Sequence, residues 1–123
     1  RFSITNGVVT ADLLKILTDI RLMNAEKDFL LPTLQAGSSI MPGKVNPVLE
    51  EALSLVCHRI IGNDATLLSV SQMSTFELSV SFPLVAHTLL ESLSLLANGI
   101  NAWTEKSLKP AQFSPEKSKE KLE

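Results

Sequence analysis

The sequence predicts an all-α fold, on three observations. Apolar residues recur at three- and four-residue steps through most of the chain, which is the spacing that shares one helix face. The composition is 45% hydrophobic but only 5% aromatic, without tyrosine, so leucine, valine and alanine carry the core, as suits helices packed on helices. Helix-boundary residues punctuate the periodic stretches at Asn46-Pro47 and at Ser74-Thr75-Phe76-Glu77.

A first helix is expected from about Val8 to Met23. Leu13, Ile16, Leu17, Ile20 and Met23 share its apolar face, and Asp19 and Arg21 lie on other faces. Asn24 to Ala36 reads as a connector, polar at Asn24, Glu26, Lys27 and Asp28 and punctuated by Pro32 and Gly37. A second helix should open at Asn46-Pro47, because asparagine is a favoured cap and proline a favoured first helical residue. Leu49, Leu53, Val56 and Ile60 trace its face, and Gly62-Asn63-Asp64 marks a candidate bend before helix resumes through Leu67 and Leu68.

The third helix has a capping-box start at Ser74 to Glu77 and should kink at Pro83, whose ring removes a donor and crowds the preceding turn. Beyond it, Val85, Leu89, Ser92, Leu96, Gly99 and Trp103 run at near-heptad spacing, while Leu84, Leu90 and Leu95 face elsewhere. A helix apolar on most sides must be buried on most sides. These 123 residues cannot supply that many neighbours, which points to a larger, self-associating helical core. The expected organisation is a partial bundle over 1–105, then a charged stretch over 106–123 with Pro110 and Pro115, read as an exit linker or the start of a further domain.

Bulk properties narrow the function classes. A net charge of −2 offers no electrostatic basis for binding nucleic acid or an anionic membrane. One cysteine, Cys57, excludes an internal disulfide framework and fits a reducing compartment, so cytoplasm or an organelle matrix is the expected location. No apolar run reaches the roughly 18 residues that read as a membrane span. Cys57 and His58 do not make a zinc site, and no cofactor is expected. Cys57 is expected in the core, and His87, among Val85, Leu89 and Leu90, is expected to be buried.

The chemistry concentrates in Gly37-Ser38-Ser39-Ile40-Met41-Pro42-Gly43-Lys44-Val45-Asn46-Pro47. Two adjacent hydroxyls, a lysine and an asparagine sit on one glycine- and proline-bounded loop between helical segments, a combination that packing does not require. The loop is not a phosphate-binding P-loop. Five residues separate its glycines where that motif has four, Val45 stands where Ser or Thr is needed, and no strand precedes it.

This segment resembles the signature of the fumarase/aspartase superfamily, G-S-S-x-M-P-x-K-x-N-P, at every fixed position. The similarity extends to Leu31-Pro32, Gln35-Ala36, Glu51-Ala52-Leu53, Gly62-Asn63-Asp64 and Phe76-Glu77-Leu78. The resemblance implies an antiparallel bundle of long helices, the later part of the central helical domain of a homotetrameric enzyme several times longer. It implies reversible elimination from a C4-dicarboxylate to give fumarate, with Ser38 as general base. Gly37 and Gly43 would give the loop freedom to close over substrate. Ser39, Lys44, Val45 and Asn46 fall at substrate-contacting positions, Lys44 pairing with a carboxylate. Glu51 matches a glutamate that orients a histidine from another subunit, a histidine expected upstream of this chain.

Plainer readings stand beside these. Asn46 serves equally as a helix cap, Lys44 as a solvated loop cation, Ser38 and Ser39 as turn formers, and Glu51 as a complement to the helix N-terminus. Within the superfamily, Leu34-Gln35-Ala36-Gly37 looks like aspartate ammonia-lyases, whereas Glu51-Ala52-Leu53 and Phe76-Glu77-Leu78 look like class II fumarate hydratases. The short Asn24–Phe29 connector lacks the Ser-Gly-Pro-Arg-type segment of both. Argininosuccinate and adenylosuccinate lyases rank lower, because they usually carry a bulkier residue in place of Gly43. Aspartate ammonia-lyase is the favoured expectation; the alternatives are fumarate hydratase or, for these 123 residues in isolation, an inactive helical oligomerisation module.

Overall fold

A computed structural model describes residues 2–35, 40, 46–73, 75–76 and 78–114, with side chains from Gly7 onward. Three long helices dominate: α1 (Phe2–Ala25), α2 (Val48–Val70) and α3 (Phe82–Trp103). A 3-10 turn (Ser71–Met73) closes α2, and a π-helical turn (Thr104–Leu108) extends α3. Two short strands, β1 (Phe29–Leu30) and β2 (Gln112–Phe113), pair antiparallel.

The helices are antiparallel, as side-chain pairs at both ends show. Arg21 near the end of α1 meets Glu51 at the start of α2, and Gly7 lies beside Asp64 toward the other end. On the opposite side, Glu50 meets Trp103, and Asn63 meets Glu91. α2 thus packs against both α1 and α3. A Cβ added at Gly99 would lie 2.7 Å from Leu53 Cδ1, so the missing side chain lets α3 approach α2 closely.

The core is built from Leu13, Leu17 and Ile20 of α1, Phe29 of β1, Leu53 and Cys57 of α2, and Trp103 of α3. Burying side chains of this kind contributes about 1.5–3 kcal/mol each, before chain entropy is charged against it. Cys57 is fully buried, as its place in the apolar pattern required. Burial pushes its thiol pKa up, against a smaller opposing backbone hydrogen bond. A protonated thiol in the core is a packing group rather than a nucleophile.

Several sequence expectations are corrected. On α1, Ile16 and Met23 are exposed, so the buried stripe is narrower than the predicted one. α1 runs on to Ala25 and ends in a backbone motif that its composition does not announce. The Asp28 N–H donates to Met23 O at 3.0 Å and the Lys27 N–H to Asn24 O at 3.1 Å, with Lys27 at φ 63°. This is a Schellman closure with lysine where glycine is usual.

α2 starts at Val48, with Pro47 rather than Asn46 in the capping position, and no side-chain cap bond forms there. It passes through Gly62-Asn63-Asp64 without a break, because Asn63 faces α3 and is bonded to it. The capping-box residues Ser74 and Glu77 lie outside the described residues, and α3 starts only at Phe82. Pro83 therefore sits in the first turn, where its fixed φ fits and its missing N–H costs nothing, and no mid-helix kink arises. His87 is exposed, not buried.

The chain remains on the bundle after α3. Ser107 is buried, and Leu108 and Ala111 pack on the core. β2 then returns to the connector that follows α1. Phe29 pairs with Phe113 and Leu30 with Gln112, and the Ser114 N–H donates to Asp28 O at 3.0 Å. The Phe29 and Phe113 rings meet at 4.8 Å between centroids, tilted by 59°.

Candidate active site at the foot of the signature loop

In sequence, the signature segment lies between β1 and α2. Ser38, Ser39, Lys44 and Val45 lie outside the described residues. Asn46 and Pro47 are described and form the root by which the loop joins α2. The Val48 N–H donates to Asn46 O at 2.9 Å, and the Glu51 N–H to Pro47 O at 3.0 Å. The first bond uses a donor left open at a helix start, and the second is the first regular i→i−4 bond of α2.

Against this root lies a cleft of about 540 Å³, lined by Thr18, Arg21, Leu22, Asn24, Ala25, Asn46 and Pro47. Its position follows from the antiparallel arrangement, which brings the last two turns of α1 alongside the first turn of α2. The lining combines one guanidinium, two carboxamides and a hydroxyl with apolar walls. Its carboxamide N–H groups suit an oxygen-rich ligand. The adjacent N-terminus of α2 adds the positive end of its dipole.

Glu51 sits at the edge of this region. Its Oε1 accepts from Arg21 Nη2 at 3.4 Å, joining α2 to α1 across 30 residues of sequence. Asn24 also braces the connector, since its Oδ1 accepts the Leu31 N–H at 3.1 Å. Sequence reasoning assigned no role to Arg21 beyond a face away from the core. A contact at this separation leaves no trace in local spacing.

Glu50 is the second residue that the sequence reading missed. It is 1% exposed, and its Oε1 accepts from Trp103 Nε1 at 2.9 Å and from the Ser107 hydroxyl. A buried carboxylate is costly unless it is hydrogen-bonded, and these two donors satisfy it. The bond anchors the first turn of α2 to the π-helical turn, and so fixes the end of the helix that carries the loop. A signal for it was present. The buried face of α2 runs through Leu53, Cys57 and Ile60, and stepping back three residues from Leu53 lands on Glu50.

The same stripe stepped forward reaches Asn63, 4% exposed. Its Nδ2 donates to Glu91 Oε2 at 2.8 Å and to Ser92 Oγ at 2.9 Å. Arg59 also reaches Glu91, at 3.1 Å. The Asn63 hydrogen bond holds the Glu91 carboxyl below the usual glutamate range, with Arg59 adding to the effect and partial burial opposing it. This network lies at α2–α3, away from the cleft, and its role is structural. Among the described residues, no group of His, Cys, Asp and Glu is arranged to hold a metal. No helix among them is long and apolar enough to cross a membrane.

Comparison with known proteins agrees with this architecture. The family model described as Lyase matches residues 1–62, half of the chain, and the chain belongs to that family. The chain is 40% identical over 114 residues to an aspartate ammonia-lyase from Bacillus sp, covering 89% of this chain and 24% of the relative. It is 43% identical over 115 residues to the class II fumarate hydratase 2 of Pseudomonas aeruginosa, covering 89% and 25%. The class II fumarase structure from Schistosoma mansoni superposes with a TM-score of 0.91 at 33% identity, over 96% of this chain and 26% of that one. The fumarate lyase:delta crystallin structure from Brucella melitensis gives 0.87 at 33% identity, over 94% and 26%. The chain thus spans about a quarter of the length of the curated relatives it matches.

Proposed function

We propose that the full-length protein is a carbon–heteroatom lyase that reversibly eliminates ammonia from L-aspartate to give fumarate. The observation that carries this reading is the complete signature from Gly37 to Pro47, rooted beside a cleft whose walls carry Asn24 and Asn46. Relatives named aspartate ammonia-lyase and class II fumarate hydratase support the reaction class.

The difficult step is removal of a proton from the carbon next to a carboxylate. The resulting carbanion pushes charge into a group that is already negative, and preorganised donors aimed at those oxygens lower the barrier most. Ser38 takes the proton as its oxyanion, and the carbon–nitrogen bond electrons leave with ammonia as the double bond forms. Closure of the loop excludes water and surrounds the serine oxygen with backbone N–H groups. Lys44 pairs with one substrate carboxylate, and Ser39, Asn46 and the Val45 backbone hold the remainder. Glu51 orients a histidine from another subunit. The working form is a homotetramer in the cytoplasm.

Full-length protein mixed with aspartate should show rising fumarate absorbance, and Ser38→Ala should lose at least about 100-fold in kcat. No fumarate from aspartate or malate would overturn the reading, and full turnover by Ser38→Ala would remove the assigned base. Class II fumarate hydratase is the second reading, favoured by the 43% identity to such an enzyme. Turnover of malate in preference to aspartate would select it.

A further inference from the structure

We propose that Arg21 is a positioning residue for Glu51, and this inference rests on the lyase reading above. Arg21 donates through Nη2 to Glu51 Oε1 at 3.4 Å, from the second-last turn of α1 to the first turn of α2. The same guanidinium lines the cleft beside Asn46 and Pro47, the residues at which the signature loop ends. One residue therefore bonds the carboxylate assigned to orient a histidine and shares a cleft with the root of the loop proposed to carry the base.

The geometry gives the pair a function that stability does not explain. Both side chains are 44% exposed, and an exposed ion pair of this kind adds little to folding. What the pair does is restrict the glutamate. A glutamate near a helix start has three rotatable bonds, and nothing local selects one rotamer. Holding Oε1 against α1 picks a single arrangement and leaves Oε2 for a donor from a neighbouring segment. A histidine arriving from another subunit would meet a carboxylate already aimed.

The guanidinium is suited to this task. Its planar fork keeps its direction while one nitrogen is engaged. Arg21 is not assigned as a substrate ligand, and the test separates the two roles. A group that only binds substrate, equally in the ground and transition states, raises KM, whereas one acting through Glu51 lowers kcat.

The experiment uses full-length protein, assayed by fumarate absorbance with the preferred substrate. Arg21→Gln should lower kcat about 10-fold with KM within about twofold, as loss of a partner that orients a site residue does. Arg21→Lys should recover only part of kcat, since it restores the charge but not the planar fork. The double variant Arg21→Gln/Glu51→Gln should be no slower than Glu51→Gln alone, because the two residues act as one unit. The melting midpoint of Arg21→Gln should stay within about 2 °C of the parent, as an exposed pair predicts. Unchanged kcat, a rise in KM alone, or losses that multiply in the double variant would overturn the proposal.

The proposed reaction and this inference fail separately. If the parent protein makes no fumarate from aspartate or malate, the reaction falls. The crystal structure of full-length Arg21→Gln then decides the positioning role: a Glu51 carboxylate that swings away supports it, and one that keeps its place overturns it.

Discussion

Three carboxylates on the α2 and α3 helices illustrate how position decides role. Glu50 is buried and held by two neutral donors, Glu51 is half-exposed and paired with a guanidinium, and Glu91 collects an amide and a guanidinium. Its partners hold the Glu91 carboxyl below the usual glutamate range. A carboxyl depressed in the folded state stabilises it above the unfolded value, and that stability is lost as pH falls through the folded value. The melting midpoint should therefore fall, in part through Glu91, as pH drops through the ordinary glutamate range and below it. Glu91→Gln should flatten that segment of the profile, measured by circular dichroism at each pH. An unchanged slope would mean that other carboxylates dominate the acid limb.

At the scale of single elements, α1 ends in a backbone conformation that its sequence does not favour. Lys27 takes φ 63°, where a Cβ crowds the carbonyl and costs about 1–2 kcal/mol. Glycine removes that crowding but gives the unfolded chain more freedom, an opposing effect of about 0.4–1 kcal/mol. Lys27→Gly is thus expected to stabilise by about 0.5–1 kcal/mol in denaturant melts. A loss of stability would show that the lysine side chain contributes a contact of its own. The start of α3 teaches the complementary lesson. Ser74 to Glu77 carries the pattern of a cap, yet the helix begins at Phe82, where Pro83 fits the first turn. Local boundary signals were right in kind and misplaced along the chain, because several compatible starts compete and packing selects among them.

At the scale of the whole molecule, α1, α2 and α3 bury one side of the bundle and leave much apolar surface. Leu55, Leu68 and Leu90 are 71%, 70% and 65% exposed. Isolated exposed leucines are ordinary, but several along long helices point to covering elements beyond these 123 residues. The 123-residue chain by itself should therefore make no fumarate, since the proposed site draws on other subunits and other segments. The full-length protein should sediment as a particle of four copies. A monomer that remained fully active would overturn the shared-site reading.

The amino-acid sequence alone determined the helical class, the membership of Leu13, Leu17, Leu53 and Cys57 in the core, and the signature segment on which the proposed chemistry rests. Those depend on local periodicity and on residue types set close together in the chain, and both are written in one dimension. Tertiary structure decided that Arg21 meets Glu51, that Glu50 and Asn63 turn inward to bond α3, and that the segment after Trp103 returns to pair with Phe29 and Leu30. Each joins residues at least 28 apart, and the energy of such a contact depends on where the helices lie relative to one another. A helix face can be read from spacing, but the donor that waits opposite it is known only when the second helix is in place.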